Sequence, residues 1–533
     1  MRAPTLKQKP RRALVTSFPA PTGGLVSNRN LAMARSPDQP PGAELLENYF
    51  PTATGVVTRR GTVRKASITD GSPVRSMFTY ISGGLKKLFA ANDTGIRDIT
   101  VVPDADAWVG PDVLTGKTSG DWSVVQFATT GGEFLVGVNG SDAAFLYDGT
   151  AFSATTITFP GGSSLTTADL SFAWVYKQRI WFIQKDSLDA WYLDVDQVGG
   201  ELTKWPMGGV FPRGGVLTWG QAWSLDAGGS GGLSEQCVFT TTEGEVAAYQ
   251  GLSPDPDQGW TKVGAYRIGR PMGKHGFFRA GGDIVAATTV GLISLSMASK
   301  HDYAALGQGA VSYPIEDTWV RSVQERGQAD WRCEVWPDGQ MVAISPPPVS
   351  GRQPVVYVAN TNTGKWATFT GWNIQSMAVF DNSLHFGSAD GAVRQAWVGG
   401  SDEGSPFVAR CLPLFDDFDA PASLKIAKMA RIVTRSAFPV NCQLSGHADF
   451  KANFPPAPSL STPPAGSEWG TGVWGQSLWN AERGSVITSD WVSIGGAGHD
   501  LAVGAQITSN STPPPDAEII RIDASYSLAE AGT

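Results

Sequence analysis

The sequence has few charged residues and no long hydrophobic run. Only 17% of its 533 residues are Asp, Glu, Lys or Arg, and no apolar stretch reaches the roughly 18 residues that a membrane-spanning helix needs. The N terminus is basic but contains no apolar segment of signal-peptide length. We therefore expect no stable membrane insertion and a protein that is made and assembled in the cytoplasm.

Cysteine is scarce, with four residues that lie far apart in the chain. They do not have the spacing of metal ligands, and three of them lie within apolar strand patterns. Buried free thiols are therefore expected at Cys237, Cys333, Cys411 and Cys442, rather than disulfides or metal ligands.

Sequence motifs for catalysis are missing. The five histidines are scattered, and there is no phosphate-binding loop or nucleophile elbow. Asp255-Pro-Asp257 resembles the start of a calcium loop, but Tyr266 stands where the last ligand, a Glu, would be, so a turn is favoured. Asp416-Asp-Phe-Asp419 is expected to be a solvated turn, with a metal or basic-partner site as the alternative. The sequence thus predicts no catalytic residue, no cofactor and no metal.

Helical periodicity is also scarce, whereas turn-forming residues are abundant, with 63 Gly and 35 Pro. The best helical candidate, residues 423–433, alternates with a period of two and is predicted to be a strand. Such a composition is typical of an all-β protein with many turns.

A hairpin pattern returns seven times along the chain. Each copy is an alternating apolar run, a polar Gly/Asn/Asp turn and a second alternating run. The copies are anchored on Leu88, Phe134, Ile180, Val238, Ile284, Val342 and Leu384, with spacings of 46, 46, 58, 46, 58 and 42 residues. Such a period predicts a β-propeller, in which blades stack around a centre because none can bury both its faces alone. We predict seven blades over residues 74–400, with six as the alternative.

Aromatic residues recur at one place in several copies. Tyr192 precedes Trp205, and Tyr249 precedes Trp260 in the same way. Large rings at this place would form wedges between neighbouring sheets. The alternative is that aromatics are simply frequent, at 10% of the chain.

Residues 1–73 are predicted to form an extended basic arm. Residues 1–75 contain 12 Lys and Arg against 4 Asp and Glu, which leaves a net charge of −16 for the rest of the chain. The arm is either a solvated tail or a segment that orders on an acidic partner. Residues 41–50 could form a helical turn or two. The candidate docking residues are Arg2, Lys7, Lys9, Arg11, Arg12, Arg59 and Arg60.

Residues 401–533 are predicted to form a separate antiparallel β-sandwich or small barrel. A Pro-rich loop in this module carries Trp469, Trp474 and Trp479 at a spacing that fits neither strand nor helix. They either anchor the loop in the core or form an aromatic patch for a partner.

Motifs at both ends resemble those of one family. Near the start these are Gly23-Gly24, the run Pro40-Pro-Gly-Ala-Glu-Leu-Leu-Glu-Asn-Tyr-Phe-Pro51, and the run Gly55-Val-Val-Thr-Arg-Arg-Gly61. Residues 513–522, Pro-Pro-Pro-Asp-Ala-Glu-Ile-Ile-Arg-Ile, follow near the end. The chain resembles the tail nozzle (tail hub) proteins of short-tailed bacteriophages, the podoviruses.

The resemblance implies a structural virion protein without enzymatic activity. It implies a homohexameric tube below the portal and its adaptor ring, which retains packaged DNA and conducts it during ejection. Fibre, spike or needle proteins would be the other partners. Double-stranded DNA would pass without sequence-specific binding, in line with the acidic body. The alternatives are a propeller enzyme of a tail spike that degrades polysaccharide, and a propeller scaffold for protein interactions.

Overall fold

The structure is a computed structural model that describes residues 13–27, 40–68, 70–103, 112–226, 233–254, 259–461 and 485–529. The chain forms two compact units. Unit 1 comprises residues 1–63, 358–370 and 397–533, and unit 2 comprises residues 64–357 and 371–396.

Short strands occupy much of the predicted arm. They are β1 (Leu14–Pro19), β2 (Ala43–Glu47), β3 (Tyr49–Pro51), β4 (Val56–Thr58) and β5 (Thr62–Ser67). The described part of the arm is therefore built into folded sheets. Its lack of sustained periodicity reflects the shortness of the strands.

The helical turns expected at residues 41–50 are wrong, because this segment forms β2 and β3. Asn48 lies between the two strands with a φ of 58°, a left-handed conformation that Asn tolerates better than most residues. The kink lets both Leu46 and Tyr49 point into the core, where each is fully buried. Apolar residues three positions apart are also typical of one face of a helix, and this spacing led to the helical prediction.

Unit 2 is a ring of small antiparallel sheets. Its first four blades are β6–β9 (Ser76–Ser82, Leu85–Asn92, Gly95–Asp98, Asp112–Thr115), β10–β13 (Ser123–Thr129, Gly132–Val138, Phe145–Tyr147, Phe152–Ala154), β15, β16, β17 and β19 (Leu170–Tyr176, Arg179–Gln184, Asp189–Tyr192, Thr203–Pro206), and β20–β23 (Leu217–Asp226, Leu233–Thr241, Glu245–Gln250, Thr261–Arg267). Strands β14 (Ile157–Thr158) and β18 (Gly200–Glu201) form a parallel pair beside them.

The next blade has three strands, β24 (Phe277–Ala280), β25 (Asp283–Ala287) and β26 (Leu292–Ser294). Short helices follow it: α1 (Leu295–Ala298), α2 (Leu306–Gly309) and α3 (Glu316–Arg326). Strands β27 (Arg332–Trp336), β28 (Met341–Ser345) and β29 (Val355–Asn360) come next, and β30 (Trp366–Thr370) lies in unit 1. The last blade contains β31 (Ile374–Phe380), β32 (Ser383–Ser388) and β33 (Ala392–Ala396), and β5 completes it.

The fold is a β-propeller, as the repeat predicts, and all seven anchor residues lie on the second strand of their copies. Six of the sheets are separate, so the ring has six blades by this count, which is the alternative and not the preferred number. The predicted seventh blade is not counted because its strands, β27–β29, are part of a longer sheet. Strand β27 nevertheless contacts β24 and β31 and lines the centre with the other innermost strands.

Unit 1 contains two sheets. The remaining strands are β34 (Phe407–Pro413), β35 (Leu424–Ser436), β36 (Cys442–Ala448), β37 (Ser485–Thr488), β38 (Val492–Ser493), β39 (Ala497–Gly498), β40 (Leu501–Ser509) and β41 (Glu518–Ala529). One sheet has the order β3-β4-β41-β35-β37, with β1 also paired to β41, and the other includes β30-β2-β34-β40-β36. Residues 424–436 form a strand, as predicted. The predicted module at 401–533 thus gains strands from the chain's start and middle.

Aromatic wedges pack between blades of unit 2. Trp181 of β16 stacks on Trp260, with ring centroids 5.7 Å apart, and Trp260 stacks on Tyr249 at 5.3 Å. Trp205 meets both Tyr249 and Trp260 edge to face. The recurring aromatics of the third and fourth copies therefore join two blades, as the sequence predicts.

The contact of Gly220 with Trp174 provides a test of this packing. A Cβ at position 220 would lie 2.6 Å from the fully buried Trp174 ring. We expect Gly220→Ala to lower the free energy of unfolding by about 1–3 kcal/mol, because the ring has no room to move. Gly209→Ala is the matched control, since nothing lies within 4 Å of its added Cβ. Equal urea midpoints for the two variants would contradict the close packing.

Candidate functional site

The innermost strands of unit 2 surround a central cavity of about 430 Å³. Its lining comes from β6, β10, β15, β20, β24, β27 and β31. Charged and titratable side chains on this lining are His275, Arg279, Arg332, Cys333 and Glu334. The cavity therefore brings together residues from distant parts of the chain, as the centre of a propeller does.

Asp121 is the centre of an ion cluster beside this cavity. Its carboxylate lies 2.9 Å from Lys274 Nζ, 2.9 Å from the Arg332 guanidinium and 3.2 Å from His275 Nε2. Lys274 also donates to the carbonyls of Asp121 (2.7 Å) and Ser171 (3.3 Å). One carboxylate thus joins segments that precede β10 and β24 to the start of β27.

The cluster shifts the pKa values of Asp121 and His275. Burial alone would raise the pKa of Asp121, but the contacts with His275, Lys274 and Arg332 hold that pKa well below its usual range. Burial and then the charge of Arg332 lower the pKa of His275 to about 4. His275 is therefore neutral at pH 7, and the net charge of the four side chains is +1 (two cations and one carboxylate).

Glu334 lies further along the same face of β27, in surroundings of a different kind. A smaller cavity of about 350 Å³ at this end is lined by Glu334 together with Met77, Phe78, Val124 and Met377, among others. Burial raises the pKa of Glu334 to about 7. Among the described residues, no ion pair joins Glu334 to a cation.

A second polar centre, within unit 1, is built around Arg59. Its guanidinium donates to Asn48 Oδ1 (2.8 Å), to both Asp402 oxygens (2.9 and 2.6 Å), and to the carbonyls of Arg60 (3.0 Å) and Thr370 (3.1 Å). Its side chain is 0% exposed, and it lies 3.8 Å from the centre of the Phe407 ring. All five donors of the guanidinium are therefore satisfied inside the unit.

This geometry corrects the prediction that Arg59 docks a partner, because a fully buried and saturated guanidinium has no donor left to offer. Arg60 is 41% exposed and forms an ion pair with Asp516 at 2.8 Å. The other candidates, Arg2, Lys7, Lys9, Arg11, Arg12, Trp469, Trp474 and Trp479, lie outside the described residues.

Sequence reasoning did not find the Asp121 cluster. Asp121 is 153 residues from Lys274 and 211 from Arg332, so no local motif marks it. The weak signal is the recurrence of polar residues at the start of the innermost strands: Asp121 and His275 lie two residues before β10 and β24, and Arg332 is the first residue of β27.

The remaining predictions concern thiols and metals. All four cysteines are free, with Cys237 and Cys411 buried and the other two partly buried. Asp416 and Asp417 accept backbone hydrogen bonds from Phe418 and Asp419 in a turn, as expected. Within the part of the chain that the structure describes, no group of three or more His, Cys, Asp or Glu could hold a metal ion. No described helix is long and apolar enough to cross a membrane.

Comparisons with known proteins give no family for the chain. No family model and no curated protein matches the chain. Similar solved structures include the computationally designed protein Ika8, with 10% identity over 63% of this chain and 99% of that chain at a TM-score of 0.34. BBS1N, in its complex with ARL6DN, has 11% identity over 64% and 96% at 0.36. Raptor from Chaetomium thermophilum has 10% over 64% and 29% at 0.40. These similarities assign no family and no activity to the chain.

The Asp121 cluster predicts a large loss of stability on neutralisation. Asp121→Asn keeps the shape but leaves Lys274 and Arg332 without their counter-charge, so we expect a loss of about 3–5 kcal/mol in the free energy of unfolding. Asp381→Asn is the control, because its ion pair with Lys86 is exposed (side chains 70% and 48% exposed) and should contribute less than about 1 kcal/mol. Similar losses in urea unfolding would show that Asp121 does not hold this cluster together.

The raised pKa of Glu334 predicts that the free energy of unfolding depends on pH. Its folded pKa of about 7 lies above the unfolded value of about 4.3, so the folded state holds the proton more tightly and loses stability as pH rises from 4.3 to 7. Glu334→Gln should therefore be more stable than the wild type at pH 8, by about 1–2 kcal/mol, and equal to it near pH 4. Glu201→Gln, at an exposed position, should show no such trend. A pH-independent difference for Glu334→Gln would contradict the raised pKa.

Proposed function

We propose that the chain is a structural protein of a virion, the tail nozzle or hub of a short-tailed bacteriophage, and that it has no catalytic activity. In this role it assembles in the host cytoplasm as a homohexamer below the portal-adaptor ring. It extends the channel, retains packaged DNA and conducts it during ejection. Fibre, spike or needle proteins bind to its outer surface.

The observation that carries the proposal is that the residues behind the family resemblance meet in one network of unit 1. Asn48 Nδ2 donates to Thr370 Oγ1 (2.8 Å) and to the carbonyl of Val408 (2.8 Å), while its Oδ1 accepts from Arg59. The Leu-Glu-Asn-Tyr-Phe-Pro and Arg-Arg-Gly motifs are therefore two halves of one buried arrangement. Because these motifs contact each other in the folded chain, we infer that proteins that carry both motifs share the fold of unit 1.

The glycines of the same motifs are required by close approach of the backbone. A Cβ at Gly23 would lie 2.5 Å from the carbonyl oxygen of Pro40, and Gly24 has a φ of +73° against the backbone of Trp366. Gly61 lies directly against the carbonyl of Ser401. Because a larger residue does not fit at these places, the motifs depend on structure rather than on chance composition.

Charge supports a passive role towards DNA. With −16 on residues 76–533, the body repels phosphates, so a duplex would slide past it without being held. Among the described lining residues of the central cavity, Glu334 is the one carboxylic acid. The adjoining cavity adds Asp93, Asp121 and Asp330, of which Asp93 and Asp121 are held in ion pairs with Arg75 and with Lys274 and Arg332. The usual glycoside hydrolysis needs a pair of carboxyl groups, which favours the nozzle over a spike enzyme.

Electron microscopy of particles from the encoding phage, with this gene disrupted, tests the proposal. We expect heads that lack the distal tail and have lost packaged DNA, with both restored by the wild-type gene supplied in trans. Asp381→Asn changes an exposed residue, and this variant supplied in trans should restore both as well. It is the control for expression of a substituted gene. Tailed particles that keep their DNA but fail on the host capsule would overturn the proposal and favour the spike enzyme.

A further inference from the structure

Unit 1 contains a cavity of about 450 Å³ in which two arginines are oriented by carboxylates. Arg60 donates to both carboxylate oxygens of Asp516, from Nε at 2.9 Å and from Nη2 at 2.8 Å. Arg435 donates from Nη1 to Glu518 at 3.0 Å. The Arg435 side chain is 49% exposed, whereas that of Glu518 is 9% exposed. This arginine cavity therefore presents guanidinium groups to solvent.

Neither guanidinium of the arginine cavity is saturated, in contrast to that of Arg59. A guanidinium has five N–H donors, and its side-chain contacts with described residues use Nε and Nη2 of Arg60 and Nη1 of Arg435. The other donors remain available to a further acceptor. Because arginine forks match carboxylates, and because these two are already held in place, the cavity suits an acidic group.

Unit 1 also carries the complementary charge, in the turn Asp416-Asp-Phe-Asp419 that follows β34. Asp416 and Asp419 are exposed, and between described residues no ion pair neutralises the carboxylates of the turn. Lys425 follows closely in the chain, but it is buried and donates to three backbone carbonyl groups. This acidic turn is therefore available to cations of a partner.

The arginine cavity and the acidic turn lie at opposite ends of the long strands β35 and β41. Arg435 lies opposite Glu518 at one end of this ladder. At the other end, Tyr526 stacks on Phe418 of the acidic turn, with ring centroids 4.6 Å apart. From Glu518 to Tyr526 the strand extends about 26 Å, at about 3.3 Å per residue. The cavity therefore cannot bind the turn of its own copy.

Apolar side chains accompany the charges at both ends. Phe450 is 50% exposed and packs on Phe415, which directly precedes the acidic turn, with ring centroids 5.0 Å apart. Pro513 and Pro514 line the arginine cavity. Each end thus combines charge with exposed apolar surface, which is the usual make-up of an interface between proteins.

We propose that the arginine cavity of one copy binds the acidic turn of a second copy in a head-to-tail contact. The proposal rests on the homohexamer of the proposed function and assigns the contact that joins its copies. A contact between two different surfaces closes into a ring when the last turn meets the first cavity. Because residues 76–533 carry a net charge of −16, two exposed arginines on an otherwise acidic body select where a second copy docks.

Sedimentation velocity of two complementary variants of the full-length chain tests the contact. Asp416→Asn with Asp419→Asn removes charge from the turn and keeps its shape, since Asn also tolerates the φ of 57° at position 419. Arg60→Gln with Arg435→Gln removes the charge of the cavity. We expect the wild type to form a closed ring, each double variant to be a monomer, and their equimolar mixture to form a dimer, because one intact cavity then meets one intact turn.

Controls in unit 2 should leave the ring intact. Asp381→Asn and Arg352→Gln each remove one charge of an ion pair at the surface. An open dimer lacks the intramolecular closure of a ring, so the mixture is measured at ~10-fold higher concentration than the wild type. Raising NaCl from ~0.05 to ~0.5 M should weaken association of the wild type by ~10-fold or more, because screening weakens exposed ion pairs. This measurement covers the case of variants that do not fold.

The outcomes separate this contact from the nozzle proposal. A monomeric wild type, rings that persist in both double variants, or a mixture of folded variants without dimers would overturn the contact, even if disruption of the gene leaves particles without tails or DNA. Dimers in the mixture, together with disrupted particles that keep their tails and DNA, would support the contact and overturn the nozzle.

Discussion

Closure of the ring by strand β5 is the constraint on which unit 2 depends. From residue 64 onward the chain adds β5 to the outer edge of β31-β32-β33, so that the last blade is completed by the chain's own beginning. Further contacts continue this closure, since Ile68 N–H donates to the Gly391 carbonyl at 2.8 Å and Val74 N–H to the Ser388 carbonyl at 3.1 Å. Because no blade buries both faces alone, opening this joint would expose two sheets at once.

Much of the ring could be predicted because each strand has a local alternation of apolar and polar residues. Leu88 and Ile180, like the other anchors, are apolar residues of a period-two pattern and lie on the second strand of their blades. The number of separate blades could not be predicted, since whether β27–β29 form their own sheet depends on which strands pair at their edge. The kink at Asn48 could not be predicted either. Leu46 and Tyr49 face the core from two short strands, and in a helix the same two residues would also lie on one face.

The sites were less predictable than the fold, because their residues meet only through topology. Arg59 lies in a basic and Pro-rich segment, which suggested an exposed docking residue, yet its partner Asp402 is 343 residues away. Local sequence gives the charge of such a residue but not its counter-charge. Glu334 was missed for the opposite reason: a single acidic residue in a strand carries no signal until the surrounding walls are known.

The size of the central cavity limits how a tail nozzle built from this chain could carry DNA. The major groove of a duplex is by itself about 12 Å wide, so a cavity of about 430 Å³ with an ion cluster beside it has no room for the whole helix. A conduit for DNA must therefore be formed between several copies, outside the individual rings.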